Sequence, residues 1–341
     1  MTINEVIKLI RRRHLAALII HNPANLRALT SLECDNAVLV ITAKAGEVKL
    51  YTDFRYAAAF RRQASWLKVR DLKRLELKSI VDAGASRVGL EFTEPHRFVE
   101  KLRALLPRQT KLVDISADLL SMRSVKSEEE IRRIKAAQRL NHEIFAAAVR
   151  SFRAGMTERT MARIIKRMML ERGEGEAFET IVCVGANAAE CHHVPDDTVW
   201  NGREGVLIDM GVKLDGYCSD MTRCIRPKRR SALYRKVDEC VRRAHDAAIA
   251  AAAPGVTAGR LDAIARRIIR EGGFGRCFGH SLGHGVGLEI HEEPTARRGS
   301  KTILKPGMFV TIEPGVYLEG NLGLRLEDLI LITPSGCEVV L

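Results

Sequence analysis

The sequence predicts an α/β chain in two parts, the second of them built from two related halves. Three observations lead there. At 341 residues the chain exceeds what one ordinary core organises, so two domains are expected. Its first part alternates short apolar runs with helical periods. Its second part repeats itself at an offset of 100 residues: Gly155-Met-Thr157 opens a helical stretch with Ile164, Arg167, Glu171 and Gly173, and Gly255-Val-Thr257 opens one with Ile264, Arg267, Glu271 and Gly273. Shared helix grammar, a threonine cap and a closing glycine, accounts for part of that likeness. The larger reading is two α/β halves about a pseudo-two-fold axis, with any site formed between them.

The elements follow in order. The first ten residues, followed by Arg11-Arg12-Arg13, have charge after the apolar stretch, where a signal peptide has it before, so they read as an amphipathic first helix. Residues 14–20 read as a buried strand. Residues 36–42 and 48–52 form a hairpin across Lys44-Ala45-Gly46. Helices are expected over 55–63 and 93–106 and a further strand over 87–92, giving a unit with mixed strand pairing. A boundary near 121–124 divides the chain into 1–124 and 125–341. Ser127-Glu-Glu-Glu130 is then a capping box. Ile131, Ile134, Ala137 and Leu140 keep the 3.6-residue period of the helix it starts, which runs to about residue 152.

The stretch Gly205–Thr222 is organised differently. An apolar run ends in Asp209, Asp215-Gly216 supplies a hairpin turn, and a return strand bears Asp220. With a two-residue turn, Asp220 falls opposite Gly211, diagonal to Asp209 and on the same face. With a one-residue bulge the two aspartates are directly opposed. In both registers two carboxylates converge on a largely buried hairpin, and like charges so placed call for a cation.

Composition narrows the classes. No apolar run approaches the roughly 20 residues of a membrane helix, and the cytoplasm is the expected location. Eight cysteines are scattered without a Cys-x-x-Cys pair, which argues against a disulfide framework or zinc finger and for reduced thiols. The net charge of +13 concentrates in residues 1–124, with 22 Lys+Arg against 13 Asp+Glu. The basic residues are dispersed and lack interleaved aromatics, so a solvated basic surface is favoured over nucleic-acid binding.

Three later stretches add ligand-type side chains. His280-Ser-Leu-Gly-His284-Gly-Val-Gly-Leu-Glu-Ile-His291 sets three histidines among glycines, and Glu313 and Glu327 each interrupt sequence that otherwise reads as core. Four carboxylates with one imidazole suit two divalent ions, and manganese, cobalt, iron or zinc would fit better than a lone structural zinc. Water bound to such ions ionises near neutral pH and becomes a nucleophile.

In combination these motifs resemble the pita-bread metallopeptidases, the family of aminopeptidase P, prolidase and, at greater distance, methionine aminopeptidase. The matching pieces are Gly185-Ala-Asn-Ala-Ala-Glu-Cys-His192-His-Val-Pro, Leu-Ile-Asp209-Met-Gly, Ser-Asp220-Met-Thr-Arg, Gly-His284-Gly-Val-Gly-Leu-Glu-Ile-His291-Glu-Glu-Pro, Ile-Glu313-Pro-Gly and Leu-Arg325-Leu-Glu327-Asp. The first 120 or so residues are similar, more weakly, to the creatinase-type domain of the proline-specific branch through Ala-Leu-Thr-Ser and Tyr51-Thr-Asp-Phe-Arg-Tyr56. The resemblance implies hydrolysis of the bond between an N-terminal residue and proline in a peptide substrate, by attack of metal-bound hydroxide. It implies Asp209, Asp220, His284, Glu313 and Glu327 as ligands of two metal ions, with Asp220 and Glu327 bridging and Glu313 also moving a proton. His192 and His291 would steady the substrate and the developing oxyanion. His280 would line the pocket, Arg325 would hold the bridging region or a substrate carboxylate, and His193 would be a neighbour without a role. A homodimer is a further implication. Departures at Glu190-Cys191 and Ser281-Leu282 bear on substrate preference. Competing readings are a methionine aminopeptidase, a metal-free creatinase and a non-catalytic module that binds protein or nucleic acid. The last two are disfavoured because all five ligand positions are intact.

Overall fold

The structure is a computed structural model that describes residues 1–42, 47–75, 77, 87–93 and 95–341. Its contacts divide the chain into Met1–Arg123 and Ser124–Leu341.

In the first unit, α1 (Ile3–Arg12) starts from a capping box in which the Thr2 side chain accepts from Glu5 N and Glu5 reaches back to the Thr2 backbone. Val6, Leu9 and Ile10 form its buried stripe. The chain then turns at His14, with φ 53°, so β1 (Ala17–Ile20) begins three residues later than the strand read over residues 14–20. Next comes α2 (Pro23–Thr30), an element the periodicity does not announce, although Asn22 at its cap and Pro23 in its first turn are start signals. The hairpin of β2 (Ala37–Thr42) and β3 (Val48–Thr52) sets Leu39 opposite Leu50. Its turn, Lys44-Ala45-Gly46, lies outside the described residues. Then follow α3 (Phe54–Gln63), β4 (Lys68–Asp71), β5 (Arg87–Leu90), α4 (His96–Leu105), β6 (Lys111–Asp114) and α5 (Ser116–Ser124). The sheet order is β4-β3-β2-β1-β5-β6, parallel at β3–β4, β1–β5 and β5–β6 and antiparallel elsewhere.

The second unit begins with α6 (Glu128–Ser151), whose Ser127–Glu130 capping box is formed as read. Its first half continues with α7 (Glu158–Arg172), β7 (Ile181–Val184), β8 (Val206–Met210), β9 (Lys213–Leu214), β10 (Tyr217–Cys218) and β11 (Met221–Ile225). The second half has α8 (Ala232–Ala250), α9 (Ala258–Glu271), β12 (Gly283–Gly285), β13 (Glu292–Ala296), β14 (Phe309–Ile312), β15 (Gly315–Leu318), β16 (Leu322–Arg325), β17 (Asp328–Thr333) and β18 (Gly336–Val339). The sheet β11-β8-β7 packs with α6 and α7 over Ile144, Ile165, Ile208 and Met221. The sheet β14-β17-β18 packs with α8 and α9 over Val241, Ile269, Val310 and Ile330.

Backbone pairing bears out the repeat. Gly155 N donates to Trp200 O and Glu158 N to Thr198 O at 2.8 and 3.1 Å; Gly255 N donates to Leu304 O and Ala258 N to Thr302 O at 3.0 and 2.9 Å. Both glycines need positive φ (94° and 86°) to bring the helix start against its partner strand. Two halves therefore use one device, a β-bridge at Thr157–Val199 and again at Thr257–Ile303.

The central hairpin adopts the two-residue turn. Asp215 and Gly216 have φ of 49° and 77°, as a type I′ turn requires. Tyr217 pairs with Leu214, and the same register continues to Thr222 opposite Asp209. Asp220 thus faces Gly211, diagonal to Asp209. No helix among the described residues is long and apolar enough to cross a membrane, and all eight cysteines are free thiols.

Candidate metal centre

Five acidic and imidazole side chains are delivered to one place by strand ends. Asp209 lies in β8, Asp220 immediately before β11, His284 in β12, Glu313 immediately after β14 and Glu327 immediately before β17. Asp220, His284 and Glu327 offer ligand atoms all within 4.8 Å of one another. His284 Nε2 is 3.5 Å from both Asp220 Oδ2 and Glu313 Oε1, which draws Glu313 into the group. Asp209 is linked to Glu327 through Arg325 and Thr222, Arg325 Nη2 donating to Asp209 Oδ2 at 2.6 Å.

Each ligand-type group is aimed by a neighbour. Helix α6 grips the hairpin backbone: Gln138 exchanges two hydrogen bonds with the Asp220 main chain at 2.9 and 3.0 Å, and Asn141 Nδ2 donates to Met210 O. Thr222 Oγ1 donates to Glu327 Oε2 at 2.7 Å and accepts from Arg325 Nε at 2.9 Å. Thr311 Oγ1 accepts from His284 N and donates to Glu313 Oε1. Gly283 permits the close crossing of β12 and β14, since a Cβ there would lie 1.8 Å from Thr311 O.

Proton positions follow from the acceptors. His284 Nδ1 faces the Gly285 carbonyl at 3.1 Å, so Nδ1 is the protonated nitrogen and the Nε2 lone pair points at the carboxylates. Burial, with His291 nearby, lowers the His284 pKa to about 4, so the ring is neutral at neutral pH. Tyr317 Oη accepts from Arg325 Nη1 and donates to His280 Nε2, both at 2.9 Å. His280 Nδ1 donates to Ser281 O, and burial holds the His280 pKa near about 4.

The carboxylates carry the opposite strain. Burial first, and then one another's charge, raises Asp220 and Glu313 well above the carboxylate range and pushes Glu327 up to about 8. Asp209 Oδ1 is buried without a hydrogen-bond partner. Four carboxylates outnumber the Arg325 and Arg223 guanidinium groups that act on them, leaving a negative excess that divalent cations balance, and an oxygen-rich set with one neutral imidazole is the donor chemistry such ions take. The residues fit a metal site.

The remaining sequence-expected residues sort by exposure. His192 and His291 are exposed, and His291 stacks edge-on against His284 with ring centroids 4.4 Å apart. His192 lies near enough to help depress both His280 and His291. Arg325 is only 4% exposed and its donors are engaged by Asp209, Thr222, Tyr317 and the Cys191 carbonyl. Sequence reading missed Thr222, Thr311, Tyr317 and Gln138. Two of these were findable, because Thr222 and Thr311 sit two residues from Asp220 and Glu313 and so share their strand face.

Comparison with known proteins places these features in context. A family profile described as "Metallopeptidase family M24" matches residues 132–334, and one described as "Creatinase/Prolidase N-terminal domain" matches residues 3–125. The chain is 39% identical over 258 residues to an Xaa-Pro dipeptidase of Pyrococcus horikoshii, covering 75% of this chain and 73% of that one. Among solved structures it resembles the prolidase from Pyrococcus furiosus (TM-score 0.90, 32% identity, 98% of each chain). It also resembles the X-Pro aminopeptidase from Thermotoga maritima (TM-score 0.88, 31% identity, 100% of this chain and 97% of that one).

Proposed function

Because the chain belongs to metallopeptidase family M24, and is therefore a metal-dependent hydrolase, we propose that it cleaves the bond between an N-terminal residue and proline, with Xaa-Pro dipeptides as first substrates. The carrying observation is the convergence of Asp220, His284, Glu313 and Glu327, with Asp209 near enough for its charge to act on all three of the other acids and its Oδ1 buried without a hydrogen-bond partner. The name of the Pyrococcus horikoshii relative supports the dipeptide preference. Residues 125–341 are the catalytic unit in this reading and 1–124 the creatinase-like unit.

Two divalent ions, manganese or cobalt, would be held by Asp209, Asp220, His284, Glu313 and Glu327. When bound, such ions lower the pKa of water toward neutrality and polarise the scissile carbonyl. The chain's own residues do the rest. His284 presents its Nε2 lone pair, preset by the Nδ1 bond to Gly285 O. Glu313 has Oε1 turned to His284 and Thr311, and Oε2 turned to His280 Nδ1 at 3.9 Å. Oε2 takes the proton from the attacking water and passes it to the departing proline nitrogen. His192 and His291 steady the substrate and the oxyanion that develops on the carbonyl. Arg325 orients Asp209 and, through Tyr317, His280; its donors are already used within the site.

The test is to load the protein with manganese or cobalt and offer Gly-Pro and Gly-Pro-Ala. Glycine release from Gly-Pro, faster than from the tripeptide, is expected. Release from neither, by folded and metal-loaded protein, sinks the activity; faster release from the tripeptide moves it to the aminopeptidase type. Asp220→Ala should abolish both turnover and manganese uptake in calorimetry, and retained uptake would refute its role as a ligand.

A further inference from the structure

Each of the two exposed histidines at the site is followed directly by a buried residue that pairs with an ionisable partner. His192 is exposed while His193 is 8% exposed. His193 Nε2 lies 2.7 Å from Glu158 Oε2 and its Nδ1 3.1 Å from Glu190 Oε2. Glu158, wholly buried in the first turn of α7, also accepts from Val184 N, Asn187 Nδ2 and Asp196 N at 2.6, 2.9 and 3.1 Å. One carboxylate thereby ties the start of a helix, the end of β7 and the turn that bears His192. Across the site, His291 is exposed and Glu292 is buried. Glu292 accepts from Lys126 Nζ at 2.5 Å and from Glu289 N at 3.1 Å, closing the turn that bears His291. Gly287 makes room for the lysine, since a Cβ there would lie 2.5 Å from its Nζ.

Glu158, His193 and Asp196 also present ligand atoms within 4.8 Å of one another. The Glu158 oxygens are, however, taken by amide donors, and Asp196 Oδ1 accepts from Thr198 N at 2.7 Å. Hydrogen bonding accounts for this cluster without an ion.

We propose that the buried pairs Glu158–His193 and Lys126–Glu292 are positioning pairs that clamp the two turns from which His192 and His291 reach the substrate. Each pair fixes the backbone next to the exposed histidine, which limits the directions that side chain can take. The pairs touch neither substrate nor ions; they act through the histidines beside them. This inference rests on the reading of His192 and His291 as substrate-facing groups.

The test is a substitution series at His193 in the metal-loaded protein, assayed on Gly-Pro. H193L should lower kcat/KM roughly 10- to 100-fold, the penalty for a small misplacement of an active-site group, with manganese affinity unchanged. H193Q, whose amide nitrogen occupies the Nε2 position, should recover most of the loss; H193N, which reaches only the Nδ1 position, should not. In an H192A background H193L should cost little more, because the two act as one unit. Glu292→Gln alone and with H291A repeats the cycle on the other turn. Full additivity of H193L with H192A would overturn the clamp. So would the binding of one fewer manganese ion by H193L than by the parent, which would make the cluster a metal site. A readout independent of turnover separates failure of the clamp from failure of the activity. The imidazole NMR signal of His192, assigned with H192A, should broaden or shift in H193L and be restored in H193Q. An unchanged signal overturns the proposal even if Gly-Pro is never cleaved.

Discussion

Thr222→Val is the sharpest probe of how the site is held. Thr222 is fully buried, and its hydroxyl is the joint between Glu327 Oε2 (2.7 Å) and Arg325 Nε (2.9 Å). Valine keeps the shape and β-branching and removes only the hydroxyl. Glu327 then loses a hydrogen bond to a charged group, a contribution of about 1.5–3 kcal/mol. At about 1.4 kcal/mol per decade, that is roughly 10- to 100-fold in affinity for divalent ions. The same range applies to lost outer partners of metal ligands in general. Arg325 Nε is left buried and unpaired, at a cost of about 1–3 kcal/mol to folding, while its bonds to Asp209 and Tyr317 persist. Isothermal titration of manganese into chelator-stripped T222V, beside T222S and the parent, reads the first quantity; thermal melting reads the second. T222S should lie near the parent, since it retains the hydroxyl. If T222V binds manganese within about twofold of the parent, the claim that Thr222 aims Glu327 is wrong.

Two further outcomes follow from the same geometry. Glu327 ionises near about 8 in the fold against 4.5 ordinarily, and Asp220 and Glu313 shift the same way, so over this window the folded chain retains protons the unfolded chain has released. Stability of chelator-stripped protein should therefore fall as pH rises. Above about pH 7.5, where His280 and His284 are largely neutral in the unfolded chain as well as in the fold, little opposing contribution from them remains. Melting temperatures between about pH 7.5 and 9 should decline in stripped protein and flatten with manganese; an equal slope in both contradicts the shared burial of these acids. At the hairpin turn, Asp215→Val places a β-branched residue at φ 49° and should cost about 1–2 kcal/mol. Asp215→Asn should be nearly neutral, and equal melting of the two variants would argue against the type I′ turn.

The metal-ligand candidates were legible because they break a pattern. Asp209, Glu313 and Glu327 sit in or beside strands that otherwise read as core, where an acid is costly unless something compensates it. The hairpin register was legible down to a choice of two, and the positive φ of Asp215 and Gly216 with the observed pairing decides between them. Strands β4 and β6 were not legible, because they are largely exposed and lack an apolar run to announce them. Helix α2 was overlooked for a different reason: its start signals are plain, but eight residues are too few to establish a period.

What local sequence holds is the inventory: which residue types interrupt apolar strands, where turns and caps must fall, and that two stretches 100 residues apart share a plan. What it lacks is the distance between groups far apart in the chain. Gln138 meets Asp220 across 82 positions, Thr222 meets Glu327 across 105, and Arg325 meets Asp209 across 116. The protonated nitrogen of His284, the closed chain Arg325–Tyr317–His280 and the burial of His193 beside an exposed His192 all depend on such encounters. Hydrogen bonds and charge coupling act over a few ångströms of space, and separation along the chain does not encode that distance. Folding therefore turned a set of acids and imidazoles into a site with defined proton positions.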